Sequence, residues 1–208
     1  MPTRAARRRR LFEFAATQAG YFTAAQARAI GYSARAIGHH VQAGHFERVS
    51  RGFYRLSEFP ALPHEDVVAA WIFVGPEHAV VSHDTALALY ELAPSRAREI
   101  HLTVPFAHRP RHRPRLKAIR IHTTKEPLRS DEVVERFGVR VTSAARTIAD
   151  VAEIGADPSV VIEAVARALS TGLVTAQELR RSAAGRSARV RQLIERAITE
   201  AGSRAPVR

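Results

Sequence analysis

Residues 23–56 constrain the fold more than any other part of this sequence. Thr23 precedes a short helical pattern, and Gln26 stands three residues later, which is the spacing of a capping box. A three-residue turn, Gly-Tyr-Ser, leads to a further helix with Ser33 as its expected cap. Two short helices joined by such a turn are typical of a helix-turn-helix motif.

A hairpin pattern follows these helices. The segments Phe-Glu-Arg-Val-Ser and Phe-Tyr-Arg-Leu flank a tight turn at Arg51 and Gly52, and residues 11–18 precede the motif as another helix. A helix-turn-helix followed by a β-hairpin is a winged helix, so we predict a winged-helix domain over residues 1–59.

The helix after Ser33 has one polar face. At about 100° per residue, Arg35, His39 and Gln42 lie within roughly 40° of one another. Ile37, Val41 and Ala34 fall on the opposite side, where we expect the core. Arginine pairs with guanine and glutamine with adenine, so we predict that the polar face enters a DNA major groove. The alternative is a solvated face on a small helical domain.

Arginines elsewhere in the first domain extend this prediction. Residues 1–59 hold ten arginines and three acidic residues, which is more than half of the net charge of +12. We expect the hairpin arginines to meet phosphates or the minor groove, and the run at residues 7–10 to form a basic arm. The candidates are Arg48, Arg51 and Arg55 on the hairpin, and Arg8, Arg9 and Arg10 on the arm.

Three histidines in this region raise the question of a metal site. His39 and His40 are adjacent in a helix, so their side chains cannot converge on one ion. His40 lies at the edge of the core face, and His45 lies beyond the helix end at Gly44. We interpret the three as unrelated positions and predict no metal ligand and no cofactor.

Gly38 is unfavourable in a helix interior by about 1 kcal/mol. Close approach of another helix, or of a DNA backbone, would each explain a glycine at this position.

The remaining residues, 60–208, predict a mixed α/β domain that ends in helices. Residues 57–66 contain two prolines and are typical of a linker. Helical patterns alternate with extended segments at 99–104, 118–124 and 138–143, and three helices follow after residue 157. The fold class is therefore α+β.

The composition limits the cellular compartments in which we expect the protein to function. There is no cysteine, which excludes disulfides and thiolate chemistry and is compatible with a reducing cytosol. No apolar run approaches the roughly 20 residues that span a bilayer, and the N-terminus lacks the features of a secretory signal. We expect a cytoplasmic protein without a membrane partner.

A proline-arginine segment interrupts the second domain. Residues 108–120 contain six arginines or lysines and no acid. This segment is either a solvated loop or a second basic patch that contacts phosphates or an acidic partner. The patch would consist of Arg109, Arg111, Arg113, Arg115 and Lys117.

Two His-x-Thr units raise the possibility of catalysis. They begin at His101 and His122, each on an expected strand, where residues two apart share a face. Two-histidine phosphoesterases present an acid and a base in this way. The two units are too close in sequence for the two lobes of such an enzyme, so we interpret them as ordinary strand faces and predict no catalytic residue.

Several of these motifs together resemble the AbiEi-type antitoxins of type IV toxin–antitoxin systems. In the first domain the shared residues are Phe22-Thr23, Ala27 with Gly31, and a wing motif that includes Arg48, Val49, Arg51, Gly52 and Tyr54. In the second domain, the segments VVSHDTALALYEL and VRVTSAARTIADVA resemble two further family motifs.

The resemblance implies a winged-helix repressor that binds inverted repeats upstream of its own operon. It also implies a C-terminal domain that counteracts a nucleotidyltransferase-like toxin, directly or indirectly. Arg146, Thr147 and Asp150 lie in the last motif, and we favour a structural role for them in helix packing. The alternative function is a winged-helix regulator of unrelated genes whose α/β domain senses a ligand or partner.

Overall fold

The computed structural model describes residues 3–94, 98–110 and 118–204. The chain divides into two compact units, the first principally Met1–Ala79 and the second principally the remainder. Helices and sheets occur in both units, so the predicted α+β class is confirmed.

The first unit contains the predicted helix-turn-helix and hairpin. Its elements are α1 (Arg4–Ala16), β1 (Tyr21–Thr23), α2 (Ala24–Ala29), α3 (Ala34–Gln42), β2 (Phe46–Ser50), β3 (Phe53–Leu56) and α4 (Glu65–Val74). The capping box forms as expected, because Thr23 Oγ1 accepts from the Gln26 backbone and Gln26 Oε1 accepts from the Thr23 backbone. Ser33 caps α3 by accepting from the Ala36 backbone.

The hairpin is part of a larger sheet than we expected. Its strand order is β1-β3-β2, with antiparallel pairing throughout. The short strand β1 was not predicted, because three residues give no periodicity; it forms because Phe22 pairs with Tyr54 across the sheet.

The expected basic arm is a helix. Arg8, Arg9 and Arg10 lie within α1, which starts at Arg4 after Thr3 accepts from the Ala6 backbone. Arginine is a good helix former, and no helix-breaking residue interrupts the run, so the helical pattern at residues 11–18 extends toward the N-terminus.

The first compact unit extends beyond residue 59 to Ala79, because it includes α4. Phe73 on α4 packs edge-on against Phe53 with ring centroids 5.4 Å apart. Glu65 accepts a hydrogen bond from Arg55 at 3.1 Å. Both contacts join α4 to β3, which the sequence pattern around the prolines did not indicate.

One aromatic cluster forms the centre of the first unit. Phe22 is fully buried, with Phe46 edge-on at 5.0 Å and Tyr54 stacked at 5.7 Å between ring centroids. The core also contains Leu11, Ala15, Ala27, Tyr32, Ile37 and Leu56.

The second unit is a five-stranded sheet with helices. Its elements are β4 (Val80–Val81), α5 (His83–Leu89), β5 (Ile100–Pro105), β6 (Ile119–Thr124), β7 (Val133–Arg136), β8 (Val139–Thr142), α6 (Ala144–Glu153), α7 (Pro158–Ser170), α8 (Ala176–Ala183) and α9 (Ala188–Arg204). The strand order is β6-β5-β4-β8-β7, and β4 is antiparallel to β5 and parallel to β8. Three extended segments and three terminal helices match the prediction, whereas β7 was missed.

Buried apolar side chains hold the helices of this unit to the sheet and to one another. α6 is buried along most of its length, and its Ile148 and Val151 are almost completely inaccessible. α7 and α9 contribute Val165 and Ile194 to the same interior. Every helix in the described part of the chain is too short or too polar to span a bilayer.

Replacing Gly20 should destabilise the first unit more than replacing Gly44. Both glycines have positive φ, 84° and 74°. A Cβ at Gly20 would lie 2.7 Å from Phe59, whereas one at Gly44 would meet nothing within 4 Å. We expect Gly44→Ala to cost roughly 1–2 kcal/mol and Gly20→Ala roughly 1–3 kcal/mol more, measured by denaturant unfolding. If both variants lost the same free energy of unfolding, the close contact of Gly20 with Phe59 would not contribute to stability.

Candidate nucleic-acid interface

The polar face of α3 is exposed as the helical spacing predicts. Arg35, His39 and Gln42 are all exposed, while Ile37 is 3% exposed and Val41 packs against the core. The helix therefore presents one arginine and one glutamine, side chains whose donors and acceptors can read guanine and adenine edges.

Ala34 is the exception to the predicted core face, because it is exposed. It occupies the first position of α3 and lies about 90° from the centre of the buried face at 100° per residue. Ala36 packs against the core instead.

Gly38 lies on the exposed side of α3, between Arg35 and Gln42 in the helical net. A Cβ built on it would meet no atom within 4 Å among the described residues. Close approach of another helix therefore does not explain this glycine in the described part of the chain.

The wing presents two exposed arginines. Arg51 lies in the turn beside Gly52, whose φ is 73°. Arg48 lies on β2, with its guanidinium 5.8 Å from the centroid of the Tyr54 ring. Within the residues that the structure describes, Arg35, Arg48 and Arg51 form no ion pair, so their charges are available to a polyanion.

Arg55 is placed differently from the expectation. Its side chain is 13% exposed, and it donates to Glu65 at 3.1 Å and to the carbonyl of Pro60 at 3.1 Å. It also lies 5.6 Å from the centroid of the Tyr21 ring. These contacts join β3 to α4, so Arg55 is removed from the candidate phosphate contacts.

Arg8 also lies away from the candidate interface. It donates to Glu58 at 2.9 Å and lines a groove of about 660 Å³ together with Tyr32 and His40. His40 is about 140° around α3 from Arg35 at 100° per residue, so this groove adjoins the other side of the helix.

The other two arginines of the run stand apart from this groove. Arg9 pairs with Glu13 along α1 at 3.5 Å, and Arg10 is exposed.

The three histidines of this unit are not all unrelated. His40 stacks on Phe46 with centroids 4.7 Å apart, and its Nδ1 lies 3.4 Å from Nδ1 of His45. Burial, followed by the nearby His45 and Arg4, lowers the pKa of His40. The expectation of three separate positions is therefore wrong for His40 and His45, because the chain turns back after α3.

Only one member of the second basic patch can be located. Arg109 is exposed. Arg111, Arg113, Arg115 and Lys117 lie outside the described residues.

The Arg146 motif forms a buried ionic network. Arg146 donates to Asp150 at 2.9 Å and to Glu132 at 2.8 Å. Asp150 is 4% exposed and also accepts from Arg186. The Thr147 hydroxyl is 3.0 Å from the carbonyl of Thr142 and donates to it. These contacts join α6 to the sheet and to the turn before α9, which agrees with the structural role that we favoured.

A histidine cluster in the second unit was not predicted. His101 on β5 and His122 on β6 lie side by side, with His101 Nδ1 3.4 Å from His122 Nε2. His83, the first residue of α5, stacks on His122 with ring centroids 3.6 Å apart. His83 Nδ1 lies 2.9 Å from Ser82 Oγ, and that oxygen also accepts from Thr103 at 2.8 Å.

The cluster is held in its neutral form. Burial, followed by His122 and His101 and then by Arg186 and Arg146, lowers the pKa of His83 to about 2. Burial lowers the pKa of His122 to about 4, with His101 and Arg120 adding to the effect and two carboxylates, Asp150 and Asp84, opposing it. Burial also lowers the pKa of His101.

This geometry does not suit a two-histidine phosphoesterase. The facing ring nitrogens of His101 and His122 are in direct contact, so no phosphate fits between them. The Thr103 hydroxyl is buried and donates to Ser82, and the Thr124 hydroxyl bonds the Glu126 carbonyl.

Sequence reasoning found His101 and His122 as a pair but missed His83. The available signal was that His83 stands two residues after a short apolar strand. The sheet order places β4 beside β5, and this brings His83 to the pair.

The helix-turn-helix and the β-hairpin of the first unit define a winged-helix protein. Residues 9–57 match the family described as transcriptional regulator, AbiEi antitoxin, so the resemblance is confirmed over these residues. A search of the curated proteins returned no match to this sequence.

One solved structure supports the fold of the whole chain. The crystal structure of the RV2827C protein from Mycobacterium tuberculosis is similar with a TM-score of 0.67 at 13% identity. The alignment covers 97% of this chain and 78% of that chain. At this level of identity the similarity shows the fold alone.

Acidification should destabilise the metal-free protein through the histidine cluster. In the unfolded chain His83 titrates near 6.5, while its folded pKa is about 2. The stability contributed by the neutral ring is therefore present above pH 6.5 and is lost as the pH falls toward the folded pKa. One such histidine contributes a slope of up to about 1.4 kcal/mol per pH unit.

The variant His83→Asn should weaken this pH dependence, measured by thermal unfolding with a chelator present. Asparagine tolerates the left-handed conformation of His83, whose φ is 52°. As a control, Val81→Ala should lower the midpoint equally at every pH. If the stability of His83→Asn changed with pH as steeply as that of the wild type, the assignment of the acid sensitivity to His83 would be wrong.

Proposed function

We propose that the protein is a DNA-binding antitoxin that represses its own operon through the winged helix. The observation that carries this proposal is the exposed face of α3, with Arg35, His39 and Gln42 together, in a segment that matches the AbiEi family. The cytoplasm is the compartment in which this function operates.

In the proposed complex α3 lies in the major groove of double-stranded DNA. Arg35 donates to the O6 and N7 of a guanine, and Gln42 makes paired hydrogen bonds with an adenine. His39 lies between them on the same face. Arg48 and Arg51 on the wing contact phosphates or the minor groove, which positions the protein without reading sequence. Arg9, Arg10 and Arg109 are further phosphate contacts, and inverted repeats are the expected operator.

The second unit would counteract a nucleotidyltransferase-like toxin, directly or indirectly, without catalysis. The chemistry of the Arg146 network supports a non-enzymatic role, because its carboxylates are paired with guanidinium groups inside the unit. The exposed Arg109, as a member of the proposed second basic patch, would be available to an acidic partner.

A regulator of unrelated genes is the alternative. It is favoured by a cavity of about 430 Å³ in the second unit, lined by charged side chains that include Arg129, Arg136 and Arg181. An electrophoretic shift assay with the upstream region of the gene separates the two functions. Specific binding there supports autorepression, and binding to other promoters alone contradicts it.

Substitutions on α3 and on the wing should have different effects on DNA binding. Arg35→Ala or Gln42→Ala should relax preference at one base pair by roughly 1–3 kcal/mol. Arg51→Ala should weaken all sequences alike and reduce the log–log salt slope by about one. Affinities for an operator and for scrambled DNA check this over a range of salt concentrations.

Arg55→Gln is the control that separates the paired arginine of the hairpin from the exposed Arg51. Because Arg55 is paired with Glu65, this variant should leave the salt slope unchanged. The groove assignment would be wrong if neither Arg35→Ala nor Gln42→Ala altered operator binding.

We expect Gly38 to lower the stability of the fold while allowing DNA to approach α3 closely. Since its Cβ position is open, Gly38→Ala should raise the free energy of unfolding by up to about 1 kcal/mol. If the DNA approaches this part of α3 closely, the same variant should bind the operator more weakly. Ala36→Gly, two residues earlier on the core side of α3, should lower stability instead. Unchanged operator affinity in Gly38→Ala would show that DNA does not approach Gly38.

A further inference from the structure

Three imidazole side chains from separate elements converge inside the second unit. His83 comes from α5, His101 from β5 and His122 from β6. One ring nitrogen from each lies within 4.8 Å of the other two. His83 and His101 are buried and His122 is half-buried, so a small ion could reach the cluster past His122.

We propose that His83, His101 and His122 together bind one zinc ion, with water completing the coordination. Neutral imidazole is a preferred ligand of zinc, and three protein ligands with one open position form a known type of zinc site. The proposal does not rest on the DNA-binding function, because the cluster and α3 lie in different units.

The distance between His101 and His122 fits two ligands of one tetrahedral ion. Two nitrogens bound to zinc at 2.0–2.1 Å are about 3.4 Å apart, and their ring centroids are about 5 Å apart. The nitrogens of His101 and His122 are 3.4 Å apart, and their centroids are separated by 5.1 Å. The separation of this pair therefore matches that of two ligands of one ion.

A change of ring orientation is needed before all three histidines can bind one ion. The ring centroid of His83 lies 5.9 Å from that of His101, which is beyond the tetrahedral value of about 5 Å, and 3.6 Å from that of His122, which is short of it. Binding would turn the half-exposed His122 ring out of its stack with His83. We assign the movement to His122 because the other two rings are buried.

A hydrogen-bonded pair orients His83. Ser82 Oγ lies 2.9 Å from His83 Nδ1 and accepts from the Thr103 hydroxyl at 2.8 Å. When His83 Nδ1 carries the proton and donates to Ser82, Nε2 is left as the metal ligand. Partners of this kind hold the ring and its tautomer, and their loss weakens metal binding by roughly 10–100-fold. Ser82 is thus a positioning residue.

A bound ion would connect three segments that are distant in the chain. β6 is an edge strand of the sheet, and β5 lies between β6 and β4. The ion would hold β6 and β5 to the start of α5, so zinc should raise the midpoint of thermal unfolding.

Metal binding can be measured on the full chain without a histidine tag after chelator treatment. Zinc is titrated in competition with a chromophoric chelator, and the bound metal is counted by mass spectrometry. We expect one zinc per chain, on the order of 100-fold weaker binding in His122→Gln, and roughly 10–100-fold weaker binding in Ser82→Ala. His45→Gln, in the first unit beside His40, is the matched control and should bind zinc as the wild type does.

Histidine ring NMR of the wild-type protein tests the site without relying on any variant's folding. Zinc should shift the ring signals of His83, His101 and His122, while those of His39 and His45 stay unchanged. The proposal is overturned if no zinc binds, if binding persists in folded His122→Gln, or if the shifted rings belong to the first unit.

Discussion

The packing of Phe22 against Phe46 and Tyr54 is the contact on which the first unit depends. These rings come from β1, β2 and β3, so they hold the hairpin to the strand that leads into α2. The same core receives Ile37 from α3. Because one side of α3 is buried there, the opposite side, with Arg35, must face solvent. The orientation of the candidate DNA-reading face is thus a consequence of aromatic burial.

The second unit depends in a similar way on its central strand. β4 is only two residues long, yet it pairs antiparallel to β5 and parallel to β8. The chain then turns sharply, because His83 adopts a left-handed backbone conformation at the start of α5. This turn places His83 over the strands that carry His101 and His122. A strained backbone position thereby assembles a cluster whose members are far apart in the sequence.

Local signals explain which elements were predictable. The capping box at Thr23, the cap at Ser33 and the turn at Gly52 depend on neighbouring residues, and the elements that they delimit agree with prediction. β1 is too short to show a period, and β7, with the sequence Val-Val-Glu-Arg, lacks the alternation of apolar and polar residues that is typical of a strand. The burial of Arg55 by α4, the contact of His40 with His45 and the position of His83 depend on residues that are brought together only by packing. The exposed Ala34 shows the same limit on a smaller scale, because helical angle alone does not define how wide a buried face is.

The sequence by itself determined the winged-helix pattern, the polar face of α3 and the resemblance to AbiEi antitoxins. These properties follow from residue spacing, which is set by the geometry of one helix or one hairpin. Only the tertiary structure decided which arginines remain available to a polyanion, because ion pairing with Glu58 or Glu65 depends on contacts between elements. It alone also decided that three histidines meet, because sheet order is a property of the whole unit and not of any one segment.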